Sequence, residues 1–166
     1  MAEKTTTKQP PKTLPHIAAL GEAAEKIMAE GIYFIRLKNA ALNYPEGTVL
    51  YIGKGDNVDL RLAQELGMRK GPATFFRSLG LLLGEEVVPK SGKRKTGYSF
   101  KFRNPEEIKS WIKDNLVWDV EYCNWRCREE SLIREHKPPL NIIYNSEYCH
   151  PELKELRRKA HGISAR

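Results

Sequence analysis

The chain has 166 residues, enough for one domain with a sizeable core and too few for two. Apolar residues supply 40% and charged residues 30%, with a formal net charge of +7: a globular balance that favours an anionic partner, nucleic acid first. No stretch has the apolar length of a membrane span, and MAEKTTTKQPPKTLP lacks the apolar centre of a secretory signal, so the expectation is a cytoplasmic protein with no membrane partner.

Residues 1–14 are rich in Thr, Lys and Pro and read as a disordered basic arm. Ile17, Leu20, Ala24 and Ile27 fall at helical spacing over residues 15–29, and Gly31 ends that run. YFIRL and TVLYI read as strands, separated by the turn signal Asn-Tyr-Pro-Glu-Gly. Asp56 or Asn57 can cap the next helix, VDLRLAQELGM. PATFFRSLGLLLG is a second helical run with a proline in its opening turn. After the basic loop PKSGKRKTG come a short strand, YSFKF, and a helix, NPEEIKSWIKDNL, with Ile108, Trp111 and Ile112 on one face. VWDVEYC is a further strand. WRCREESLIREHK is a helix stopped by Pro138 and Pro139, and HPELKELRRKA closes the chain as an amphipathic helix. The class is α+β, a small sheet covered by helices, with no internal repeat.

Three runs concentrate positive charge: Lys4, Lys8 and Lys12; Lys90, Lys93, Arg94 and Lys95; and Arg157, Arg158 and Lys159. Together they point to phosphate contacts. Cys123, Cys127 and Cys149 are an odd set and read as reduced thiols; a zinc site from Cys123, Cys127 and a histidine is the other option, though no C-x-x-C pair supports it.

Glu129 shares a helical face with Trp125, Leu132, Ile133 and His136, so its carboxylate needs a cation, either a metal or an arginine. Glu130, four residues before Arg134, reads as an ordinary surface pair. Arg61 lies in the opening turns of its helix beside the Val58, Leu62, Leu66 stripe, where it either grips a phosphate or covers the sheet. Lys54 adds a second positive charge. GKGD at 53–56 lacks the spacing of a Walker loop. Phe75, Phe76 and Trp111 read as core, and His136 as a packing, backbone-bonding or outer-layer residue of the site.

Gly31-Ile32-Tyr33, Tyr51-Ile52-Gly53, Arg61 eight positions later, Glu129 opening E-x-x-L-I, and P-x-x-N ending in Asn141 stand in one order. Together they resemble the GIY-YIG nuclease family over residues 31–67 and 117–145. REESLIREHKPPLN looks like the matching helix of the bacterial excision-repair incision nuclease, and TFFRSLGLLLG and NSEYCHPELKELRRKA look like small standalone bacterial members. The resemblance implies a sheet of about three strands, antiparallel or mixed, in a nuclease domain over 15–145. Residues 68–116 are then an enlarged insertion, and 146–166 a basic C-terminal helix and tail.

It also implies a metal-dependent DNA endonuclease leaving 5′-phosphate and 3′-hydroxyl ends, in repair, restriction or recombination. Tyr33, Tyr51, Arg61, Glu129 and Asn141 would form the catalytic site, with Glu129 holding one Mg²⁺ or Mn²⁺. Tyr33 would be the favoured base, its phenolate promoted by Lys54, Arg61 and the metal. Lys54, Lys90, Lys93, Arg94, Lys95, Arg157 and Arg158 are the expected DNA contacts. The alternatives are a catalytically silent nucleic-acid-binding module and a nuclease subunit of a larger complex.

Overall fold

The computed structural model describes residues 29–89, 100–125 and 128–162. The expected arm, residues 15–28 of the helix expected over 15–29 and the basic loop with Lys90, Lys93, Arg94 and Lys95 lie outside them, as do Arg126 and Cys127 and with Cys127 the zinc option.

GIYFIRL is apolar on both of its faces, the pattern of a strand covered on two sides. It forms the central strand β1 (Gly31–Leu37), flanked by β2 (Val49–Gly55) and β5 (Leu116–Tyr122) in the order β2-β1-β5. Both pairings are antiparallel. Between β1 and β2 the chain turns through Leu42, Asn43 and Gly47, all at positive φ, with Gly47 donating its N–H to the Leu37 carbonyl at 2.9 Å.

On one face, Ile32, Phe34, Val49 and Ile52 pack against Ile133 of helix α4 (Glu129–His136). On the other, Tyr33, Ile35, Leu37, Leu50 and Tyr51 join a larger core with Leu62 and Leu66. Helix α1 (Val58–Glu65) starts at Asn57, whose side chain accepts the Leu60 N–H at 3.1 Å, so Asn57 rather than Asp56 is the cap. Helix α4 starts at Glu129, four residues later than WRCREESLIREHK suggests, and ends in a left-handed Lys137 before Pro138 and Pro139.

The described residues between 68 and 116 belong to the same core. Helix α2 (Thr74–Leu82), the paired short strands β3 (Val87–Pro89) and β4 (Phe100–Phe102), and helix α3 (Pro105–Asn115) contribute Phe75, Leu79, Phe100, Ile108 and Ile112 to it. Helix α5 (Leu153–Gly162) packs on α2 and buries Leu153 and Ala160. Gly80 is the contact point of α2: a Cβ there would meet the Phe102 ring at 2.5 Å and Ile108 Cδ1 at 2.6 Å. Gly80→Val should therefore destabilise the protein by about 1–3 kcal/mol, the range of overpacking a close-fitting core. Urea denaturation checks this through a lower midpoint at unchanged slope.

Candidate active site

The β1–β2 register sets Tyr33 opposite Gly53. The Tyr33 ring lies across that glycine so closely that a Cβ on Gly53 would overlap its ring and hydroxyl. Gly31, at the other margin of β1, gives the same clearance to β5, where a Cβ would stand 2.5 Å from the Glu121 carbonyl oxygen. Tyr51, two residues before Gly53, projects to the same side. The two tyrosine rings are stacked, centroids 6.3 Å apart and planes at 29°. Tyr51 also leans on Phe75, at 5.6 Å.

Two ion pairs flank the tyrosines. At the start of α4, Glu129 meets Lys54 Nζ at 2.6 Å, with 16% of the Glu129 side chain exposed. The Lys54 ammonium also stands over the Trp125 ring, 4.1 Å from its centroid. The cation that the sequence demanded for Glu129 is here a lysine. As the first helical residue, Glu129 also sits at the positive end of α4 rather than in the middle of an apolar stripe. Glu130 pairs with Arg134 at 2.7 Å on the surface, as its spacing implied. On α1, Arg61 pairs with Glu65 and also donates to the Pro72 carbonyl.

Glu65 is the residue that the sequence reading passed over. Its side chain has no exposed surface, and Oε2 accepts the Phe75 N–H at 2.6 Å. The signal was present: Glu65 lies seven residues after Val58 on the buried face of α1, so the argument made for Glu129 applies to it equally.

These charges act on the phenols. Burial pushes the Tyr33 hydroxyl well above the ordinary tyrosine range, Glu65 and Tyr51 add to the shift, Arg61 opposes it, and Glu129 raises it further. Burial also raises Tyr51, with Glu65 and Glu129 adding and Arg61 and Arg157 opposing. Arg61 thus acts on both phenols in the direction expected of a nearby cation, while burial acts against it. Desolvation dominates, and a buried carboxylate, Glu65, reinforces it.

Asn141 is close to the tyrosines in sequence logic but is engaged elsewhere. Its Oδ1 accepts the Ile52 N–H at 2.9 Å and its Nδ2 donates to the Ile52 carbonyl at 2.8 Å. With 7% of the residue exposed and both ends of the amide used on backbone, its place is that of a brace for β2. His136 packs edge-on against Phe34 at 5.8 Å, on the opposite face of the sheet from the tyrosines. Arg157 turns inward and donates to Ser78 Oγ, whereas Arg158 and Lys159 pair with Glu155 on the surface. The C-terminal basic run is therefore divided, one cation facing the tyrosine side of the sheet and two facing solvent.

Among the described residues, no three His, Cys, Asp or Glu side chains gather at one point. A hard divalent cation would rest on the Glu129 carboxylate, with water and phosphate oxygens completing its shell. That donor set is one Mg²⁺ accepts, since it keeps several waters and takes one or two carboxylates. No helix of the described residues is long and apolar enough to cross a membrane.

The family model of the GIY-YIG catalytic domain matches residues 24–160. No curated protein and no solved structure matches the chain.

Replacing Asn141 by Ala leaves the Ile52 N–H and C=O unpaired against a buried edge. Asn141→Ala should cost about 1–3 kcal/mol of stability, the penalty of a stranded buried polar group. Urea unfolding compares it with wild type; unchanged stability beside lost activity would assign Asn141 to the chemistry instead.

Proposed function

The chain belongs to the GIY-YIG family of nucleases, and on that premise we propose that it is a metal-dependent DNA endonuclease leaving 5′-phosphate and 3′-hydroxyl ends. The observation that carries this reading is the Tyr33–Tyr51 pair, stacked at 6.3 Å on one face of the sheet by the β1–β2 register, with Arg61 and Glu129 acting electrostatically on both phenols. The parts suit water attack on a phosphodiester. A phenol oxygen is a base once deprotonated. The Arg61 guanidinium matches the charge that grows on phosphoryl oxygens. Glu129 would hold one Mg²⁺ or Mn²⁺, which when bound stabilises the departing 3′ oxygen.

Tyr33 is the residue we assign as base, with Tyr51 positioning water or hydrogen-bonding the scissile phosphate. Lys54 is shared between Glu129 and the approaching phosphate. Asn141 holds β2, and with it Tyr51, in place. Lys90, Lys93, Arg94, Lys95, Arg157 and Arg158 remain the proposed contacts to the DNA backbone. The cytoplasm is the proposed compartment, and repair, restriction or recombination the proposed setting.

The testing experiment incubates the purified protein with supercoiled, linear, branched and single-stranded DNA in Mg²⁺, Mn²⁺ or chelator. Cleavage in metal alone is expected; no cleavage of any substrate would favour a silent DNA-binding module. Glu129→Ala should abolish cleavage while DNA binding, measured by anisotropy, stays close to wild type. Glu130→Ala should change cleavage and binding little, and an exchange of the two phenotypes would sink the assignment.

The raised phenols give a pH signature. A base whose pKa lies above the tyrosine norm is mostly protonated at neutral pH, so its active form grows about tenfold per pH unit. Single-turnover rates should therefore climb with pH without a plateau below about pH 10, the ordinary tyrosine value. Tyr33→Phe should remove the rate at every pH, and Tyr51→Phe should keep a measurable rate and the wild-type slope. A plateau near neutral pH, or an active Tyr33→Phe enzyme, would take Tyr33 out of the base role.

A further inference from the structure

Glu65 carries more chemistry than its position inside the fold requires. An acid without exposed surface is costly unless its oxygens are fully used. Here they serve two neighbouring elements. Helix α2 begins after Ala73, which offers no side-chain oxygen to its first turn, and the Glu65 carboxylate supplies the missing acceptor by taking the Phe75 N–H at 2.6 Å. Its other oxygen accepts Nη2 of Arg61, whose Nη1 donates to the Pro72 carbonyl. The guanidinium is thus tied at two points to one corner, where α1 ends and α2 begins. Burial pushes the Glu65 carboxyl above the usual carboxylate range, and Arg61, the Phe75 N–H and Arg77 draw it back down. Tyr33 and Tyr51 also feel its charge.

We propose that Glu65 is a positioning residue of the nuclease site: it fixes the Arg61 guanidinium beside the Tyr33–Tyr51 pair and acts on phosphodiester cleavage only through Arg61. The inference rests on the nuclease reading above for its consequence, but not for its geometry. A long arginine side chain free on the surface must be ordered each time a transition state forms. One already held by a carboxylate and a carbonyl meets that cost on folding, which is what makes a charge contact effective in catalysis. Glu65→Gln keeps an acceptor for the Phe75 N–H but removes the charge that grips Arg61, so it separates the two duties.

Two measurements test this. In the first, the guanidinium N–H signals of Arg61 are followed by nitrogen-15 NMR, assigned through their loss in Arg61→Lys. They should exchange slowly in the wild-type protein and be lost to fast exchange in Glu65→Gln; equal protection in both overturns the proposal whether or not any DNA is cleaved. In the second, single-turnover cleavage at saturating DNA and Mg²⁺ is compared for wild type, Glu65→Gln, Arg61→Ala and the double variant. Glu65→Gln should slow cleavage about tenfold or more with unchanged DNA affinity, the scale of a misplaced catalytic contact. The double variant should be no slower than Arg61→Ala alone. A Glu65→Gln loss felt in full on top of Arg61→Ala, or a wild-type rate in Glu65→Gln, overturns it. A wild-type protein that cleaves nothing would sink the nuclease reading and leave the NMR result to decide the positioning. If Glu65→Gln does not fold, Glu65→Asp replaces it in both measurements with the same expected direction, because the shorter side chain cannot reach both donors.

Discussion

The Tyr33 ring lies across Gly53, and the candidate site is arranged around that close approach. It needs a residue without a Cβ opposite the tyrosine, and it needs β1 and β2 paired in the one register that puts them face to face. A slip of one residue would turn Tyr33 to the other side of the sheet, among Ile32, Phe34 and Ile133. Once the register is set, Tyr51 stands on the same side, and α1, which begins three residues after β2 ends, carries Arg61 and Glu65 back over the pair. Motif, register and site are therefore one constraint seen at three scales.

The carboxylates that act on the two phenols are each paired with a cation. Arg61 against Glu65 and Lys54 against Glu129 make two ion pairs, and the tyrosines lie within the field of three of these groups. The pairs differ in setting. Glu65 is wholly covered, while Lys54 and Glu129 keep part of their side chains in contact with solvent. A partly exposed pair is the weaker of two such interactions and the easier to rearrange when a phosphate or cation arrives. On the proposed reading the fixed half of the site is the arginine side and the adaptable half is the glutamate side.

Much of this was legible in the sequence, for physical reasons. The strands carry apolar runs bounded by turn residues, and the helices carry periodic stripes, so both are local signals. Glu129 stood out because a carboxylate on an apolar face is anomalous. Three things were hidden. Glu65 is anomalous in the same way, but of its two partners only Arg61 is local, and the Phe75 N–H becomes a neighbour only when α2 folds back on α1. Arg157 reads as one of three adjacent surface cations, and only the packing of α5 on α2 turns it toward Ser78. The described residues between 68 and 116 read as an insertion beside the family motifs, and only the packing reveals that their aromatic and aliphatic side chains complete the core in which Tyr33 is buried. In each case the missing information is tertiary, a contact between elements that no periodicity within one element encodes.

The Asn141 brace has a consequence for the margin of the sheet. β2 is the margin of a three-stranded sheet, and its outward N–H and C=O groups would offer a template to any extended chain. Here Leu140 gives its N–H to the Leu50 carbonyl at 2.9 Å, and the Asn141 amide takes both groups of Ile52. Two residues thus stand in for a fourth strand over the stretch that carries Tyr51. The margin is capped there by a short polypeptide clip rather than by charge, so the outward groups of Leu50 and Ile52, on either side of Tyr51, are already used within the chain.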